Sequence, residues 1–119
     1  MTKTAALQKF FSGFMIPAFP TDDVRYDTVF PWLTYEPITD GGDAETAPTV
    51  ELWYYGWSNA EINAKCEEVA AACRNGAIVP YDGGGMVIWC GAWTSLRDDV
   101  DPLVKRRRSN FRINFLSTY

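Results

Sequence analysis

The chain contains no histidine. Serine–histidine and cysteine–histidine relays and histidine-ligated metal centres are therefore excluded. Cysteine is scarce: Cys66, Cys73 and Cys90 only. Cys66 and Cys73 share a segment with helical spacing, which sets them roughly 10 Å apart along its axis, beyond disulfide reach. An odd count without a framework reads as buried free thiols in a reducing compartment. No run of about 18 apolar residues occurs, so no helix is expected to span a membrane. The opening MTKTAALQKFF is interrupted by Gln8 and Lys9 and is not read as a signal peptide. The expectation is a soluble protein made in the cytoplasm.

Cations are also scarce, except in one place. The chain has 11 Lys and Arg against 15 Asp and Glu, a net charge of −4. Five of the cations, Lys105, Arg106, Arg107, Arg108 and Arg112, sit in the stretch LVKRRRSNFRINF; the other six face all 15 acids, a charge of −9. A chain this acidic is a poor non-specific duplex binder. Opposite charges on one chain suggest instead that one copy steers onto another.

What is abundant is aromatic: 15% of 119 residues, with five Trp, six Tyr and seven Phe. That many rings suit one domain with a modest core and leave some for contacts between proteins. Residues 3–14 space Ala6, Leu7, Phe10, Phe11 and Phe14 as one helical face. The next dozen residues, with two Pro and three Asp, are expected to run extended and irregular. Residues 31–38, bracketed by Pro31 and Pro37, fit a short or edge strand. Residues 49–55, TVELWYY, alternate Val50, Leu52 and Tyr54 against Glu51, Trp53 and Tyr55, as a strand does. Ser58 and Glu61 have the spacing of a capping box. The helix that follows aligns Ile62, Cys66, Val69, Ala70 and Cys73, with Glu61 four residues ahead of Lys65 as a surface pair, and ends at Asn75–Gly76. Strands are expected at 86–93 and 104–116. The second turns Phe111, Ile113 and Phe115 inward and Arg106, Arg108 and Arg112 outward.

The fold class is therefore α+β: a twisted, mostly antiparallel sheet of four to five strands with two helices packed on one face, in the order α-β-β-α-β-β-β. The acidic stretch over 38–48 reads as a mobile partner-binding loop, with Ile38 and Pro48 at its ends and Gly41 and Gly42 within.

Several constellations invite chemistry. Asp82–Gly85 could cradle a phosphate, but the Lys and Ser/Thr of a P-loop are missing and a strand follows, which favours a turn. Asp98, Asp99 and Asp101 could gather a cation, but the twelve-residue calcium pattern is absent. Trp53, Tyr54, Tyr55 and Trp57 could form a stacking platform, yet alternation divides them between two faces and favours packing. The run Lys105–Arg108 points to alternate faces as a strand and cannot make one groove. It stays open between a solvated edge, a contact with acidic segments of another copy or protein, and nucleic acid. An enzyme is least expected.

The blocks ALQKFFSGFMIPAFP, FPWLTYE, VELWYYGWSNAEINAK and DPLVKRRRSNFRINF, in this order, resemble the tail terminator (tail completion) proteins of long-tailed, non-contractile bacteriophages. The resemblance implies a compact α+β domain that assembles as a hexameric ring. The ring caps the head-proximal end of the tail tube, stops its polymerisation and joins it to the head connector. Implied partners are further copies of the chain, the tail tube protein and the stopper or adaptor proteins. Genomic DNA passes through the lumen without specific binding. The implied place is the virion tail or neck, assembled in the host cytoplasm, with no cofactor and no catalytic residue. Another neck protein, a stopper or adaptor, is the near alternative, and a small nucleic-acid-binding protein the distant one. Beside this, the charge pattern leads us to expect Arg106, Arg108 and Arg112 to meet acids of a neighbouring subunit, either Asp40, Asp43 and Glu45 or Asp98, Asp99 and Asp101.

Overall fold

In the computed structural model, residues 1–25, 27–38, 44–97 and 100–117 are described. In chain order the elements are α1 (Lys3–Ser12), β1 (Ala18–Pro20), β2 (Trp32–Tyr35), β3 (Glu45–Thr46), β4 (Thr49–Tyr55), α2 (Ala60–Cys73), β5 (Ala77–Tyr81), β6 (Gly84–Trp89), β7 (Trp93–Leu96), β8 (Val104–Asn110) and β9 (Arg112–Ser117). Thr2 starts α1 by accepting the Ala5 amide at 3.1 Å.

The strands form two sheets: a mixed one of order β1-β2-β4-β8-β7 and an antiparallel one of order β3-β9-β6-β5. The α+β class holds, with both helices against the same face of the five-stranded sheet. Leu33, Tyr35, Val50, Leu52 and Tyr54 are buried on that face. Against them pack Leu7 and Phe11 of α1, Ile62, Val69 and Cys73 of α2, and Met86, Ile88 and Ile113 of the second sheet. Phe11 stacks on Tyr35 with ring centroids 4.8 Å apart and lies 5.8 Å from Phe111. Each such side chain taken from water contributes about 1.5–3 kcal/mol.

The basic stretch links the two sheets. Its alternation holds, with Ser109, Phe111 and Ile113 buried. The single strand expected over 104–116 is nevertheless broken at Phe111, whose N–H leaves the ladder for Pro48 O at 2.9 Å. Arg106 and Arg108 thus belong to one sheet and Arg112 to the other. The strand expected over 86–93 also divides, because the chain changes sheets between Trp89 and Trp93. Gly91 lies in that crossing, where a Cβ would collide with the Asn110 carbonyl oxygen.

Other local differences have local causes. The 38–48 loop contains β3, because Glu45 and Thr46 pair with Asn114 and Ile113 of β9. Ile38 and Pro48 are buried. Asp40, Gly41, Gly42 and Asp43 lie outside the described residues, as do Asp98 and Asp99. Within the stretch expected to be irregular, Ala18–Pro20 forms β1, parallel to β2, so β2 is short but internal. The capping box does not form. Ser58 Oγ accepts from Ala60 N at 3.0 Å, and Asn59, the N-cap, turns its side chain to Arg107. Lys65 donates to Phe14 O at 2.7 Å and pairs with Glu68 at 3.0 Å rather than with Glu61, because the carbonyls past the end of α1 need donors. The turn at Asp82 and Gly83 (φ 89°) closes the β5–β6 hairpin, so the Asp82–Gly85 stretch is a turn.

Candidate functional site

The outward face of the five-stranded sheet carries an array of polar and aromatic groups in mutual contact. Strand alternation places Trp32 and Thr34 of β2, Glu51, Trp53 and Tyr55 of β4, and Arg106 and Arg108 of β8 on it. Glu51 lies directly across from Arg108 and two residues from the Trp53–Arg106 pair, so both guanidinium groups reach one carboxylate. Arg106 Nη2 donates to Glu51 Oε2 at 2.8 Å. Arg108 donates to Oε1 from Nε at 3.0 Å and Nη2 at 2.9 Å. The Glu51 side chain is only 13% exposed, which makes this clamp stiffer than a surface ion pair.

The rings extend the array. Arg106 lies over Trp53, 4.0 Å from its centroid, a cation–π contact. Trp32 stacks on Trp53 at 5.7 Å with 16° between planes. Phe30 is 4.3 Å from Trp32 and 5.4 Å from Tyr55. Trp53 Nε1 donates to Thr34 Oγ1 at 3.1 Å, which orients the indole. Tyr55, Val29 and Trp57 are 51%, 79% and 82% exposed at this end of the sheet. Asp101, beside the Tyr55 hydroxyl, pushes the phenol upward from its ordinary value. The expectation that alternation leaves no continuous platform is corrected here. It holds along β4, but Trp32 across from Trp53 and Phe30 just before β2 complete the surface, and single-strand reasoning does not see them.

The outward arginines are therefore not free. Arg106 and Arg108 meet Glu51 of their own chain, an acid outside the expected set. Arg112 sits 3.8 Å from Glu45 of the same chain and over the Trp89 ring at 5.7 Å, on the second sheet. Asp101 accepts from the Leu103 amide at 3.0 Å and forms part of the turn into β8. Among the described residues no group of three potential metal ligands occurs, and no helix is long and apolar enough to cross a membrane.

Compared with protein-family models, curated proteins and solved structures, the chain finds no match.

The thiols behave as core groups. Burial pushes Cys66 up to about 11 and Cys73 up to about 12, and Cys90 also upward; none is bridged. A folded-state pKa raised above the unfolded one gives stability that is fully present below the unfolded value and is lost as pH rises through the folded one. Stability is therefore expected to hold to about pH 9 and to fall between there and 12. Urea titrations across that range check this. In the native protein at pH 8, an alkylating reagent is expected to label Cys66 and Cys73 at least about a hundredfold more slowly than in denaturant, since the thiolate reacts and burial suppresses it.

Proposed function

We propose that this chain is a structural protein of a phage tail: a terminator that assembles into a ring, caps the tail tube and meets the head connector. The observation that carries the reading is the outward face of the five-stranded sheet. Phe30, Trp32, Trp53 and Tyr55 form a contiguous aromatic surface beside the Arg106–Glu51–Arg108 clamp. Aromatic and arginine side chains held rigid at a surface are the usual anchors of protein–protein contacts.

A second feature supports it. The stretches FPWLTYE, VELWYYGWSNAEINAK and DPLVKRRRSNFRINF, distant in sequence, supply β2, β4 and β8, three adjacent strands of one sheet. The first block, ALQKFFSGFMIPAFP, supplies α1 and β1 beside them. The stretches that carry the resemblance thus include three neighbouring strands of the sheet whose outward face bears the aromatic surface. In this reading the aromatic face docks onto the tube or connector, and the virion tail or neck is where the protein acts.

The test has two parts. Negative-stain images and light scattering of the purified chain at low salt are expected to show rings with a central hole. Added to polymerising tail tube protein, the chain is expected to shorten the tubes and to be retained on them rather than on portal or adaptor protein. The double variant Tyr55→Glu, Trp57→Glu, at two exposed positions, is expected to keep its fold and weaken tube capture about tenfold or more, as loss of aromatic anchors does. Absence of both rings and tube capture overturns the reading; capture by the adaptor instead makes the chain a different neck protein.

A further inference from the structure

We propose that copies of this chain meet edge to edge along the five-stranded sheet, the acidic turn after β1 of one copy entering a cationic pocket between β7, β8 and the start of α2 of the next. The inference rests on the ring reading and names the subunit contact within it.

The pocket, about 460 Å³, is lined by Asn59, Ser95, Arg97, Lys105 and Arg107 among others. Arg107 is the inward-facing counterpart of Arg106 and Arg108, and its surroundings differ from theirs. Among the described residues it donates to neutral acceptors: Ser95 Oγ and Arg106 O at 3.0 Å, Asn63 Oδ1 at 3.2 Å and Asn59 Oδ1 at 3.3 Å. Lys105 Nζ donates to Pro102 O at 3.1 Å. Both cations are therefore held in place by neutral acceptors, and among the described residues neither pairs with a carboxylate. Arg97 adds an exposed third charge at the rim. Asn59, at the start of α2, spends its side chain on Arg107 rather than on capping. The pocket thus also faces the positive end of a helix dipole.

The complementary charge lies at the other end of the sheet. Asp22, Asp23 and Asp27 follow β1, all exposed, with Arg25 as the one cation between them. None of the three acids makes an ion pair among the described residues. The backbone at this edge is closed to strand addition. Ala18 O already accepts from Gln8 Nε2 at 2.9 Å, Pro20 has no N–H, and Pro20 O takes the Asp23 amide at 3.0 Å. A contact here must be made by side chains, and carboxylates are what this edge offers.

Because β1 and β7 are the two ends of the strand order, the two surfaces are different and lie on opposite sides of the domain. A contact between unlike surfaces repeats head to tail and closes into a ring when the rotation per copy permits. The charges steer the encounter and select the register.

The experiment compares four samples by light scattering at low salt: wild type, Asp22→Lys with Asp23→Lys, Arg97→Glu with Lys105→Glu, and an equimolar mixture of the two variants. Wild type is expected to assemble. Each variant alone is expected to need at least about tenfold more protein, as charge repulsion at a contact does. The mixture, in which every junction is again complementary, is expected to return to within about threefold of wild type by the same rule. That recovery also shows that both variants fold. Variants that assemble like wild type, or a mixture that stays dissociated, overturn this contact while leaving the ring reading intact. A wild type that never assembles overturns the ring reading itself and this contact with it.

Discussion

Replacing Phe11 by Ala is expected to remove about 3–5 kcal/mol of folding stability, the usual cost of emptying a buried phenylalanine site. Phe11 is fully buried, stacks on Tyr35 and touches Phe111. From α1 it therefore touches both the five-stranded sheet and the crossing between the sheets. Around it, Tyr35 donates to Gln8 Oε1, and Gln8 Nε2 donates to Ala18 O at 2.9 Å. Loss of the ring should therefore loosen α1 from β1 and β2 together. The measurement is urea denaturation followed by tryptophan fluorescence. A fall in midpoint with little change in slope is expected. Since a domain of this kind is held by about 5–15 kcal/mol in all, the variant should sit close to unfolding. A loss below about 1.5 kcal/mol, the range of well-tolerated core swaps, would mean that Phe11 does not occupy this junction.

The second large effect is at Glu51. Its carboxylate is shared by Arg106 and Arg108, whose side chains are 23% and 47% exposed. Glu51→Ala leaves two like charges together, one of them pressed on Trp53. Breaking a fully buried pair costs about 3–5 kcal/mol; partial exposure lowers the expectation here to about 2–3 kcal/mol. Salt at 1 M should recover part of the loss by screening the arginines. The double variant Glu51→Leu, Arg106→Met should be more stable than Glu51→Ala, because removing both charges avoids an unpaired one. If Glu51→Ala unfolds at the wild-type urea concentration, the clamp contributes no stiffness to the face on which the proposed docking depends.

Much of this was legible in the sequence, and the reason differs from element to element. The helix over Ala60–Cys73 and the strand over Thr49–Tyr55 declare themselves because a period of 3.6 or 2 places the same side chains in the core whatever else the chain does. The alternation of 104–116 likewise determined that Ser109, Phe111 and Ile113 point inward. β1, β3 and β5 were missed. Two are only two or three residues long, β5 carries Pro80, and all three exist because a neighbour offers a ladder. No residue within them announces that neighbour.

The candidate site follows the same division. Its residue types could be read in advance: the arginines of the basic run and the aromatics of TVELWYY. Their partners could not. Which acid Arg106 and Arg108 meet depends on the register of β4 against β8, more than 50 residues apart. The aromatic face depends on β2 lying beside β4. The sequence by itself determined the fold class, the inward and outward sides of the main elements, and the concentration of positive charge in one strand. The tertiary structure alone decided that this charge is divided, Arg106 and Arg108 sharing the one carboxylate of Glu51 on the outer face and Arg107 held in a pocket with no carboxylate partner among the described residues. Local periodicity records the side on which a residue lies; only the pairing of distant strands decides what it faces.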